Sequence, residues 1–239
     1  MKMPDLAFPE GIDVRFGENA DQVALELADA VAGVLRTRIS EVGCATLVVS
    51  GGSTPLPFFE AVSGKNLDWS CVTVLLADER WVDENDPASN TRLVKSTLLQ
   101  HYAADAHFLS LKQPGDTPAL GLAAAEAELA GLARPLDVLI VGMGSDGHTA
   151  SLFPDAPELP AAMDPHCPEV VSAMTPPSQP HQRITLTWPV LCDARFTALH
   201  IKGVDKLDTL QQALHSPDDV LAMPVRGFLK PGLQVFWSP

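Results

Sequence analysis

Three short apolar runs, Ala45–Val49, Val72–Ala77 and Leu136–Val141, constrain this chain more than any other feature. Each is too short for a typical helix and nearly continuous rather than alternating, which is the pattern of a strand buried on both faces. Stretches of helical period stand between them. Asn19–Arg38 repeats Val23, Leu27, Ala30, Val31 and Val34 at helical spacing, with Gly43 just beyond its end. Ser89–Gln100 and Ala119–Leu132 read as further helices, and a helix through Phe58, Phe59 and Val62 is expected to start at Pro55. Strands that alternate with helices imply an α/β fold, a mostly parallel sheet covered on both faces.

The pattern resumes towards the C-terminus. Arg183–Thr187 and Phe196–Ile201 read as strands, Lys206–Leu214 as a helix and Leu233–Trp237 as a last strand. Between them, Pro154–Pro180 holds eight prolines. That stretch is expected to be an irregular excursion with one short strand near Val170–Ala173. Residues 1–239 are therefore read as a single α/β domain carrying a Pro-rich excursion at about 154–180.

With 46% hydrophobic and 19% charged residues the composition is globular. A formal net charge of −14 argues against nucleic acid and anionic membranes as partners. An anionic small molecule would need Lys and Arg gathered locally against that field. Cys44, Cys71, Cys167 and Cys192 lack redox or metal spacing and read as buried or free thiols; the histidines are too scattered for a zinc site. Met1–Glu10 has no signal-peptide run, and no window nears the roughly 18 apolar residues of a membrane span. A cytoplasmic enzyme or binding protein is the expectation.

Chemistry is expected where strands end. After Leu136–Val141 comes Gly142-Met143-Gly144-Ser145-Asp146-Gly147-His148, then Thr149-Ala150-Ser151-Leu152-Phe153-Pro154. Its glycines allow a sharp turn and a close approach to a ligand. His148 suits proton transfer near neutral pH, and Asp146 can orient its ring. The segment also matches Gly-x-Gly-x-x-Gly, but Pro154 interrupts the long helix that a dinucleotide site requires. Ser50-Gly51-Gly52-Ser53-Thr54-Pro55 joins a strand to a helix and reads equally as an anion cradle or as a tight turn capped by Ser53 or Thr54. Asp78-Glu79-Arg80 is either a solvated loop or the rim of a site. Arg183 and Lys206 are candidate phosphate cations. No Gly-x-Ser-x-Gly elbow offers a serine nucleophile.

Together these segments, with Ser89-Asn90, Arg183-Ile184-Thr185-Leu186-Thr187 and Gly203-x-x-Lys206, resemble the family of 6-phosphogluconolactonases and glucosamine-6-phosphate isomerase/deaminases. They occur in the family's order over most of the chain. The resemblance implies a three-layer α/β/α fold with a Rossmann-like central sheet. It implies hydrolysis of 6-phospho-D-glucono-1,5-lactone in the oxidative pentose phosphate pathway, with no metal or organic cofactor. Gly51, Gly52, Ser53, Thr54, Arg183 and Lys206 then map to the phosphate site, Arg80 to a substrate-facing position and His148 to the catalytic base.

The deaminase branch of the resemblance, and a non-catalytic sugar-phosphate sensor, are the alternatives. Deaminases carry a run ending Asn-Glu-Pro where this chain has Leu152-Phe153-Pro154, and Phe153 cannot transfer a proton. Their Asp-Glu-Tyr is Asp78-Glu79-Arg80 here. Both differences favour the lactonase, and an intact Asp146-Gly147-His148 disfavours a sensor. The chain departs from the family's pattern at Trp188-Pro189 and at Phe236–Pro239, where relatives usually continue with an Asp and an alanine-containing tail.

Overall fold

The computed structural model of the chain describes residues 6–239. Its first half runs β1 (Asp13–Phe16), α1 (Ala20–Val42), β2 (Ala45–Val49), α2 (Leu56–Ser63), β3 (Val72–Leu76), β4 (Asp78–Arg80), α3 (Asn90–Thr97), β5 (His107–Leu109) and α4 (Pro118–Leu129). The second half runs β6 (Leu136–Val141), α5 (Leu159–Ala162), β7 (Val171–Met174), β8 (Arg183–Leu186), α6 (Trp188–Leu191), β9 (Ala194–Lys202), α7 (Val204–His215) and β10 (Leu233–Ser238).

Seven strands form one parallel sheet in the order β1-β10-β9-β6-β2-β3-β5. The central β2 and β6 are buried at every position, which is why their sequences are apolar rather than alternating. One charge interrupts them, Asp137 on β6. Its carboxylate meets Arg38 Nε at 2.7 Å and accepts the Thr46 backbone N–H at 2.9 Å, so the buried charge is paired.

Helix α1 shows how the local sequence sets an element. Asn19 caps it by accepting the Gln22 N–H at 2.9 Å, and Gly43 ends it in the left-handed region at φ 80°. Its apolar stripe, which includes Val23, Leu27, Val31 and Leu35, is buried. Each such side chain contributes roughly 1.5–3 kcal/mol on leaving water. The helix packs on α2 and over β2, β6 and β10.

Strand order places the site. From β2 the chain adds β3 and β5 on one side, then crosses back and adds β6, β9 and β10 on the other. Right-handed crossovers put the connecting helices of the two halves on opposite faces. The loops leaving β2 and β6 therefore diverge, and a crevice opens between them at the carboxyl ends of the strands.

A second, antiparallel sheet, β4-β8-β7, stands beside the first. It corrects the solvated-loop alternative for Asp78–Arg80. These residues are a strand, and Asp78 and Glu79 are buried. Glu79 is buried because it anchors the start of α3: its carboxylate accepts the N–H groups of Asn90 at 2.8 Å and Thr91 at 2.7 Å. Within residues 154–180 the chain forms α5 and β7. Trp188-Pro189 opens α6, where a proline in the first turn is tolerated. No helix among the described residues is long and apolar enough to cross a membrane.

Candidate active site

The Ser50–Pro55 loop leaves β2 tied to β6 by the Ser50 N–H, which donates to Ile140 O at 3.0 Å. Gly52 sits at φ 101°, which side-chain-bearing residues rarely adopt. Gly51 is required for a different reason: a Cβ there would lie 2.0 Å from Asn90 Oδ1. Helix α2 starts at Leu56, one residue later than expected, and no side chain caps it. The capping explanation for Ser53 and Thr54 is thereby removed, and the cradle reading retains its free N–H groups and helix dipole.

The turn after β6 is knitted by its own backbone. Gly144 N–H donates to His148 O at 2.9 Å, and Gly147 N–H to Gly144 O at 3.1 Å. No long helix follows the glycines, so the Gly-x-Gly-x-x-Gly match has no dinucleotide context. Asp146 Oδ1 lies 2.5 Å from His148 Nδ1 and also accepts the His148 backbone N–H at 3.1 Å. Burial pushes the Asp146 carboxyl up, but the hydrogen bonds and charge of His148 more than offset this, leaving it below the usual carboxylate range. As a carboxylate it accepts Nδ1–H and leaves Nε2 with the lone pair. Phe153 stacks on the imidazole at 4.0 Å between centroids and 26° between planes. Ala150, between them, holds a strained φ of 49°.

Strand pairing supplies the cations. Arg80 and Arg183 are direct partners across β4 and β8. Like charges placed opposite one another are unfavourable unless something negative answers them. Asp78 does so in part, 3.8 Å from Arg183. Burial lowers the pKa of the Arg183 guanidinium; Asp78 opposes that and Arg80 adds to it. Lys206 comes from the first turn of α7, beyond Gly203 at φ 99°.

All of Gly51, Gly52, Ser53, Thr54, Arg80, His148, Arg183 and Lys206 line one cleft at the switch point. Asp146 stands behind His148 rather than in the lining. The lining holds four cations, Arg80, Arg183, Lys202 and Lys206, against one carboxylate, Asp78. This is a local reversal of the chain's charge of −14. Nine buried side-chain polar atoms lack a hydrogen-bond partner among the described residues. Six of them, on Ser50, Arg80, Asn90, Thr149, Arg183 and His200, belong to this lining. Folded chains leave few such atoms, and here they are concentrated in the residues around the cleft.

Three further lining residues, Asn90, His200 and Lys202, were not singled out as site residues in the sequence. Asn90 was legible only as part of Ser89-Asn90; its amide holds the Asp78 carbonyl at 3.0 Å beside the Gly51 turn. His200 is hidden inside an apolar strand pattern, and Lys202 looks like any exposed strand end.

A family model described as glucosamine-6-phosphate isomerases/6-phosphogluconolactonase matches residues 18–237. The chain belongs to this family. A 6-phosphogluconolactonase of Pseudomonas aeruginosa is 46% identical over 239 residues, covering 100% of both chains. One from Rhizobium meliloti is 44% identical over 93% of this chain and 97% of its own. The crystal structure of a 6-phosphogluconolactonase from Shewanella baltica superposes with a TM-score of 0.93 at 40% identity, over 98% of this chain and 100% of that one. The three-layer, Rossmann-like architecture implied by the motifs is thus the architecture of the glucosamine-6-phosphate isomerase/6-phosphogluconolactonase family.

Proposed function

We propose that this chain hydrolyses 6-phospho-D-glucono-1,5-lactone to 6-phospho-D-gluconate, a cytoplasmic step of the oxidative pentose phosphate pathway. The observation that carries the reading is the Asp146–His148 pair, 2.5 Å apart, at a cleft whose other walls bring Arg80, Arg183, Lys206 and the Gly51–Thr54 loop. Relatives at 40–46% identity over nearly the whole chain bear the name 6-phosphogluconolactonase.

A δ-lactone is an activated ester and needs no covalent nucleophile. Neutral His148 takes a proton on Nε2 from water as the water oxygen attacks C1. Asp146 keeps the other proton on Nδ1 and stabilises the imidazolium. The tetrahedral oxyanion collapses, the C1–O5 bond breaks, and Nε2–H protonates O5. The open-chain acid then releases its proton to solvent. A placed base of this kind is typically worth ~10²–10⁴-fold. N–H groups of the Gly142–Gly147 turn are the candidate oxyanion donors. The phosphate, far from C1, is held by Gly51, Gly52, Ser53, Thr54, Arg183 and Lys206, and its binding orients the lactone. Arg80 faces the substrate from β4.

The test is turnover of freshly generated 6-phosphogluconolactone against unphosphorylated gluconolactone, with spontaneous hydrolysis subtracted. A strong preference for the phosphorylated lactone is expected, with no ammonia released from glucosamine 6-phosphate. Equal rates on both lactones, or ammonia release, would overturn the reading.

A further inference from the structure

The cleft contains a residue that the proposed reaction leaves unused. His200 lies on β9, buried to 5% exposure, and is one of the residues that line the cleft. It packs edge-on against Phe58 with centroids 6.3 Å apart. Phe58 is in the first turn of α2, directly after the Ser50–Pro55 loop. His200 is followed on β9 by Lys202 and, in the first turn of α7, by Lys206, both of the cleft lining. The ring is therefore bracketed by the cationic arm and the glycine loop, the two parts that define the phosphate end.

Its chemistry is unusual for a core residue. Nδ1 is buried without a hydrogen-bond partner among the described residues. An unpaired buried polar atom is costly, and an apolar side chain would fill the same space against Phe58 without that cost. Burial lowers the ring's pKa to about 4, so the imidazole is neutral at neutral pH and carries one N–H. With Nδ1 walled in, the tautomer that avoids an orphaned donor carries that N–H on Nε2. Arg80 and Arg183 already stand opposite each other here, so a further cation would add repulsion. A neutral donor adds a bond without adding charge.

We propose that His200 is a specificity-determining residue that donates an uncharged hydrogen bond to the phosphate of the bound sugar ester. The proposal rests on the sugar-phosphate reading above. Its test uses the full chain with His200→Phe, which keeps an aromatic ring against Phe58, and His200→Gln, which keeps a donor. Calorimetric binding of 6-phosphogluconate is measured beside turnover of both lactones. Expected for His200→Phe is about tenfold or more weaker 6-phosphogluconate binding. KM for the phosphorylated lactone should rise by the same factor, with kcat within about twofold. His200→Gln should recover most of the loss, and unphosphorylated gluconolactone should be turned over equally by all three proteins.

Unchanged 6-phosphogluconate binding in His200→Phe, or equal losses on the two lactones, would overturn the proposal. A wild-type protein that binds 6-phosphogluconate but does not turn over the lactone would refute the reaction and leave the binding comparison to decide on His200. Should His200→Phe fail to fold, nitrogen-15 imidazole spectra of the wild type decide instead. Adding 6-phosphogluconate should shift the His200 Nε2–H resonance, identified by its absence in His200→Gln, and no shift means no contact.

Discussion

Gly144 has no room for a side chain because His148 occupies it: a Cβ built there would lie 2.0 Å from the imidazole Nδ1 and 2.6 Å from Asp146 Oδ1. Phe153 covers the ring at 4.0 Å. The imidazole is thus fixed by a glycine that admits it, an aromatic face that flattens it and a carboxylate that orients it.

Gly144→Ala should therefore act as a partial removal of the base. The methyl must displace His148 or break its bond to Asp146. We expect kcat to fall by ~10²-fold, the low end of a general base's contribution, while 6-phosphogluconate still binds. His148→Ala should show the full loss, ~10²–10⁴-fold in kcat, with KM for the phosphorylated lactone little changed. Single-turnover kinetics on both variants measure this. Near-wild-type turnover in His148→Ala would remove the base assignment.

Arg183 separates binding from stability. It is buried opposite Arg80, so its removal relieves a like-charge pair while leaving Asp78 with less compensation. Loss of one charge-assisted bond to phosphate is worth about 1.5–3 kcal/mol. Arg183→Gln should raise KM for the phosphorylated lactone tenfold or more without a matching fall in kcat. A fall in kcat with unchanged KM would place Arg183 at the reacting carbon instead.

The central architecture was legible because β2, β3 and β6 are buried on both faces and so are nearly uninterrupted apolar runs. The edge strands were not. β1 is half exposed along its length and β5 has three residues, too short for a period to emerge. The site was legible where a backbone demand left a trace, as at Gly51, Gly52 and Gly144. It was illegible where a residue's role depends on a distant partner. Glu79 reads as one charge among three, yet it anchors a helix that begins eleven residues later, at Asn90. Phe153 reads as a residue unable to transfer a proton, but its stacking on His148 needs the whole turn to be folded.

Asp137 tests the lower end of the sheet, away from the cleft. Its carboxylate accepts the Thr46 backbone N–H at 2.9 Å inside a buried strand. Asp137→Ala should cost about 1–3 kcal/mol. For a chain of this size that lowers Tm by several degrees, measured by calorimetry, with kcat on the folded protein unchanged. A Tm equal to wild type would show the network to be dispensable.

His200 also makes a prediction about acid stability. Its pKa is about 4 in the folded chain, against an ordinary value of 6.5, and burial is the cause. Between those two values the unfolded chain binds a proton that the folded chain refuses, so stability must rise with pH across that window and fall on acidification. The stability from this group is fully present above about pH 6.5 and is lost progressively as pH drops towards 4. The loss by pH 4 is roughly 3 kcal/mol from this one ring. His200→Phe has no proton to refuse. Urea unfolding of the variant between pH 7 and 4 should show a shallower fall in stability than the wild type, by about that amount at the acid end. Parallel curves for the two proteins would mean that the ring is protonated in the native state, and that its burial is matched by a partner acting on the charged form.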